Sequence, residues 1–238
     1  MPLYFTLGSS ISDLRVTGSK VVTGAALTAA VFSLAAAGLY FLMPALVRLM
    51  GQDEALFQET VSYVRIEIFG FIFLSLNSFL LIPVKLLLLT RALLAALVLK
   101  LVLAVVLDLA FLSSLPFSLQ LGVRGVAYSN IATEAATTLL LASCLATSLR
   151  GHWAGPWSLA WLRDWCRVGF YSGLDSLVRN LVYMLVILRS MNLLSSAGLY
   201  FTTNSFIWSY LLLPFLPLSE ILRVDIASAG KPGLLTQC

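Results

Sequence analysis

Hydrophobic positions in this chain fall in long unbroken runs rather than in the stripes of a soluble amphipathic helix. Apolar stretches cover about 22–47, 63–89, 92–115, 123–149, 168–192 and 197–222, each at or above the roughly 17–25 residues that a helix needs to cross a bilayer. The breaks coincide with charged clusters or with Pro and Gly, where helices end. Transmembrane strands would be shorter and would alternate apolar with polar side chains, which these runs do not. The pattern predicts an all-α, polytopic transmembrane helix bundle of about six spans. Little but Lys85, Thr90 and Arg91 separates the second and third runs, so those two helices are expected to form a tight antiparallel hairpin.

The longest polar connection, 150–167, carries Trp153, Trp157, Trp161 and Trp165 at intervals of four. In a helix starting at Pro156 the last three share a face, and Arg163, Asp164 and Arg167 supply a polar side. That pattern predicts a short helix lying flat at the membrane surface. Residues 1–20 are mixed in character, rich in Gly and Ser, and carry no signal-peptide pattern.

Composition adds the solvent. A mean hydropathy of +0.95, with 60% hydrophobic and 11% charged residues, is too apolar for a soluble domain to cover its own surface. The net charge of +4 reads as topology rather than as a nucleic-acid surface. Nine bases (Arg15, Lys20, Lys85, Arg91, Arg150, Arg163, Arg167, Arg223 and Lys231) lie in one set of alternate connections and termini. Three (Arg48, Arg124 and Arg189) lie in the other set. This positive-inside bias places both termini and 150–167 in the cytoplasm, and a plasma-membrane location is expected. Membrane lipids are the only partner this composition implies directly.

Cys144, Cys166 and Cys238 are scattered and His152 is alone, so neither a disulfide framework nor a thiolate metal site is expected. No His–Glu metal box, Walker-type lysine loop or Gly-x-Ser-x-Gly elbow is present. The chain reads as a non-enzyme without a cofactor, and any work it does would draw on an ion gradient.

Polar residues inside the runs are then the candidate chemistry, because each is costly there. Asp108 ends a long aliphatic stretch and could hold a proton or a cation. Asn130 and Glu134 are four apart in the fourth run, followed by Thr137 and Thr138; with Asp108 they could line a polar cavity between the third and fourth spans. Asp175 and Arg179 are also four apart, which favours a mutually neutralising pair. Asn180, Asn192 and Asn204 suit interhelical hydrogen bonds, and Glu67 and Asn77 are weaker candidates.

Several segments, taken in order, resemble the multidrug and toxin extrusion family of cation-coupled efflux transporters. Pro44-Ala-Leu-Val-Arg-Leu-Met-Gly followed by Tyr63-Val-Arg-Ile is similar to the end of that family's third helix and the start of its fourth. Leu99-Lys-Leu-Val-Leu-Ala-Val-Val-Leu-Asp108 is similar to the fifth, and Leu121-Gly-Val-Arg-Gly-Val-Ala-Tyr-Ser-Asn130 to the start of the sixth. Cys166-Arg-Val-Gly-Phe-Tyr-Ser-Gly-Leu-Asp-Ser-Leu-Val-Arg-Asn180 resembles the seventh, and Asn204-Ser-Phe-Ile-Trp through Pro214-Phe-Leu-Pro-Leu-Ser-Glu220 the eighth.

The resemblance implies part of a twelve-helix, two-lobe transporter that exchanges organic cations or amphipaths for H+ or Na+. Residues 1–149 would be the last four helices of the first lobe and 150–167 the linker. Residues 168–226 would be the first two helices of the second lobe, and 227–238 a non-spanning tail. It also implies a coupling-ion site, with Na+ as one occupant, at Asp108 and Asn130. The family's coupling asparagine is replaced by Ala104, and its second-lobe glutamate by Arg179. Two other readings are a lipid-linked oligosaccharide flippase of related architecture and a non-transporting membrane fragment that binds a partner.

Overall fold

The computed structural model describes residues 7–8, 13–114, 116, 118–150, 160–193, 197–208, 215, 218 and 221–222. They are almost wholly helical, and no strand occurs among them. Four long helices come first: α1 (Leu14–Leu49), α2 (Glu54–Leu86), α3 (Thr90–Phe111) and α4 (Val123–Ser148). Next comes α5 (Ala160–Val182), which passes through a π-helical stretch, Tyr183–Leu188, into α6 (Arg189–Leu193); α7 is Ala197–Phe206. Five helical segments are long and apolar enough to cross a membrane, the fifth being Gly169–Leu193. Of the expected sixth span, 197–222, residues 197–208 are described and begin it as α7, while most of 209–222 lies outside the described residues.

Local chemistry sets the helix ends. Asp13 caps α1, its Oδ1 accepting from the Arg15 and Val16 amides at 3.0 and 3.4 Å. Asp53 does the same for α2 through the Ala55 amide at 3.0 Å, satisfying donors that the first turn leaves free. α1 stops at a left-handed glycine: Gly51 has φ +68°, its amide bonds Arg48 O, and the Gln52 amide bonds Val47 O. This paired closure is the glycine-terminated helix end. The α2–α3 turn repeats it with Leu88 at φ +55°, the Leu88 amide on Lys85 O and the Leu89 amide on Val84 O. A side chain in that conformation costs about 1–2 kcal/mol.

Helix boundaries differ from the hydropathy pattern where polar residues continue a helix. α1 begins at Leu14, within the segment expected to be mixed, and α2 begins at Glu54, nine residues before its apolar run. α3 ends at Phe111 rather than near residue 115. From Ala160 onward, the segment expected to lie on the surface is instead continuous with the fifth spanning helix, and Trp161 is buried. Pro156 and Trp157 lie outside the described residues.

The packing order across the bundle is α1, α2, α4, α3. α2 and α3 are antiparallel by virtue of their tight turn, but each takes α4 as its main partner, so the expected hairpin contact between them is slight. Small side chains make this possible. The buried face of α4 carries Gly125, Ala127, Ser129, Thr133 and Thr137. A Cβ built on Gly70 of α2 would lie 3.2 Å from Ile131, and one on Gly125 would lie 3.1 Å from Phe111. In lipid, such close backbone approach replaces the hydrophobic drive between helices.

Two apolar clusters brace the bundle. Near the α2–α3 turn, Val21, Phe79, Leu80, Val84, Ala92, Ala96, Leu141, Leu145 and Leu149 pack together. Towards the α1–α2 turn, Ala36, Met43, Val47, Val61 and Ile68 form the second. Between these levels lies a polar stratum.

Candidate functional site

The stratum is built from side chains that reach between helices. At its centre is Glu134 of α4. Its Oε1 takes an ion pair from Lys100 Nζ of α3, and its Oε2 accepts from Asn77 Nδ2 of α2 at 2.6 Å. Asn77 Nδ2 also donates to the Glu134 carbonyl at 3.0 Å. Thr138, one turn along α4, donates to Asn77 Oδ1 at 2.9 Å. One glutamate thus ties three helices, and Asn77, 4% exposed, is satisfied on both sides of its amide. Lys100 is 49% exposed and Glu134 12%, so the acid is the fixed partner and the lysine the accessible one.

Nearer the α1–α2 turn, Asn130 Nδ2 donates to Glu67 Oε1 at 3.1 Å. The other oxygen, Glu67 Oε2, is buried without a partner, as is Thr133 Oγ1. Orphaned buried polar atoms are expensive. Asp108 accepts from Ser129 Oγ at 2.8 Å and so joins α3 to α4.

The expected trio of Asp108, Asn130 and Glu134 is therefore on one bundle but not in one hydrogen-bonded cluster. Each holds a different partner. Asp108 is also exposed and sits in the last turn of α3, not deep in an aliphatic core; the helix ends three residues later, ahead of Pro116. Asp175 and Arg179 do pair, at 2.8 Å, with side chains 68% and 77% exposed. Asn180 bonds within its own helix, to Ser176 O at 2.9 Å, and neither it nor the Asp175–Arg179 pair joins the stratum. Asn192 is the amide that reaches out, donating to Met50 O at 3.0 Å.

Lys100, Glu67, Asn77 and Ser129 are the stratum members that sequence reasoning undervalued. The usable signal was depth: Lys100 and Asn77 each stand well inside a spanning run, where an unpaired polar group is disfavoured. A partner was required, though nothing in the linear order identified it.

A cavity of about 520 Å³ opens between α2, α3 and α4 beside this centre. Lys100, Glu134, Asn77 and Thr137 supply its polar patch. Leu74, Leu81, Leu97, Leu101, Ala96 and Ala104 make the remainder apolar. An apolar pocket with a few convergent polar groups is the usual form of a small-molecule site. No cluster of metal-ligating side chains occurs among the described residues.

Compared with known proteins, the chain matches no family model, no curated protein and no solved structure.

Proposed function

We propose that this chain is part of a transporter of the multidrug and toxin extrusion type, an antiporter in the plasma membrane that exchanges an organic cation or amphipath for H+ or Na+. The observation that carries the reading is Glu134, an acid held by α2 and α3 at the edge of an apolar cavity inside spanning helices. Its present counter-ion, Lys100, is the exposed member of the pair. An amphipathic cation can take the place of the lysine ammonium while its apolar body lies against Leu97 and Leu101. Asp108, tied to α4 through Ser129, is the coupling acid on the strength of the family resemblance. Opposed binding of ion and substrate across linked helices is the thermodynamic core of exchange.

The flippase reading calls for several cations around a diphosphate. Among the residues lining this cavity Lys100 is the only base, and Glu134 neutralises it, which favours a cationic cargo.

The test is equilibrium binding of the fluorescent cation rhodamine 6G to the purified chain in detergent, with H+ or Na+ varied. Binding should weaken as the coupling ion rises. Glu134→Gln should lower dye affinity by about tenfold, the value of one charged hydrogen bond, and Asp108→Asn should remove the ion dependence. Unchanged affinity in the first variant together with an unchanged ion response in the second would refute the proposal.

A further inference from the structure

A second cavity, of about 540 Å³, lies at the α1–α2 turn end of the bundle, away from Glu134. It is lined by Arg65 of α2 and Arg124 of α4, with Ser62, Glu59, Tyr40 and Phe69 among its other walls. Arg65 is pinned by α1. Its Nε donates to Tyr40 O at 3.4 Å, and its guanidinium sits 4.9 Å from the centre of the Tyr40 ring. Neither arginine takes part in an ion pair among the described residues, so both cavity-lining cations keep donors to offer.

Depth identifies what they meet. Arg65 and Lys85 are the bases that bracket the apolar part of α2, twenty residues apart. At 1.5 Å per residue they are separated by about 30 Å, the thickness of the hydrocarbon core. Arg65 therefore stands at the boundary between acyl chains and headgroups. Asn130 meets Glu67, which fixes the register of α4 against α2 and sets Arg124 about one helical turn, roughly 6 Å, further toward the headgroups. Two long guanidinium side chains bridge that offset. Tyr40 and Phe69 on the cavity wall are the aromatic residues expected at this level.

We propose that this notch binds the phosphodiester headgroup of a phospholipid from the adjoining leaflet. Arg65 and Arg124 would hold the phosphate, with the Ser62 hydroxyl as a further donor. Two arginines and Glu59 leave a net charge of +1 on the wall, which matches the single charge of a phosphodiester rather than a diphosphate.

Native mass spectrometry of the delipidated 238-residue chain in detergent tests this. Dioleoylphosphatidylglycerol should add to the protein, and dioleoylglycerol, with the same tails and no phosphate, should not. Arg65→Gln with Arg124→Gln should weaken the phospholipid adduct by about tenfold or more. Arg65→Lys with Arg124→Lys should retain part of the affinity, since charge survives without the bidentate fork. Arg15→Gln with Arg91→Gln, at the opposite end, should change nothing. If the glutamine variant loses helical circular dichroism, the lysine variant and the diacylglycerol comparison carry the decision. Equal binding by wild type and the charge-removed or lysine variants, or equal binding of diacylglycerol, overturns the site. Competition by glycerophosphate at the same concentration as the lipid would mark a soluble-anion site and overturn the lipid assignment.

Discussion

Polar side chains are used differently in the two regions of this molecule. In α1–α4 the amides and charged groups bond across helices, Asn77 and Lys100 to Glu134, Asn130 to Glu67, Asp108 to Ser129, while hydroxyls such as those of Thr23, Ser78 and Thr137 bond back within their own helix. In α5–α7 most of them bond within their own helix at a spacing of four: Arg179 to Asp175, Asn180 to Ser176, Thr202 to Gly198. Asn192 reaches back to Met50, and Tyr183 hydrogen-bonds Tyr200 of α7. Cross-helix bonds specify which helices are neighbours and at what register, whereas an i, i+4 bond makes one helix self-sufficient and indifferent to its surroundings. Burial is greatest in α2 and slight in α3, with 6% of its window buried. The spanning window of Gly169–Leu193 has none of its residues buried, whereas α2 has a third of its window buried.

The strongest way to break this contrast is to remove one polar group from each side. Glu134→Ala takes away the carboxylate that serves two helices, stranding Lys100 and leaving the Asn77 amide only the residue-134 carbonyl as acceptor. With Lys100 half exposed, we expect a loss of about 2–3 kcal/mol, below the usual range for a buried pair. Asn180→Ala should change stability by about 0.5 kcal/mol or less, because the helix backbone is complete without it. Urea titration of both variants in mixed micelles, followed by circular dichroism, makes the comparison. Equal losses would mean that the cross-helix bonds do not hold the bundle.

Packing gives a smaller version of the same test. A Cβ on Gly24 would lie 2.4 Å from the ring of Phe79, which is itself buried and has little room to move. Gly24→Ala should therefore cost about 1–2 kcal/mol as overpacking. Gly173 has nothing within 4 Å of its built Cβ, so Gly173→Ala should raise stability by about 0.5–1 kcal/mol through helix propensity alone. The midpoints of thermal unfolding should shift in opposite directions. A shared sign would show that α5 is as closely packed as α1.

The smallest effect concerns the bond from Asn192 to Met50 O, which joins the two regions. Asn192→Leu removes the donor to Met50 O and should weaken docking by about 0.5–1.5 kcal/mol, leaving α1–α4 intact. Gly51 and Leu193 are near neighbours, with 3.6 Å between a built Cβ and the Leu193 Cδ2. Oxidative crosslinking of a Gly51→Cys, Leu193→Cys protein should therefore be slower when Asn192→Leu is added. An unchanged rate would assign the docking to apolar contact instead.

Much of this was legible along the chain. Run length and the shortage of charge determined a helical membrane protein, because the bilayer leaves a spanning segment no other way to pair its backbone. The helix starts at Asp13 and Asp53 and the stop at Gly51 rest on local caps that the apolar runs, expected from 22 and 63, did not mark. The Asp175–Arg179 pair was readable because a spacing of four puts two side chains on one helix face. The same spacing misleads at Asn130 and Glu134. They share a face, yet each turns to a different residue of α2, Asn130 to Glu67 and Glu134 to Asn77. Only the approach of α2 to α4, made possible by Gly70 against Ile131, decided those partners. Lys100 likewise stood in the sequence as an isolated base inside a spanning run. The insertion of α4 between α2 and α3 placed Glu134 beside it, because in a bilayer a buried charge takes whichever opposite charge the packing brings within reach.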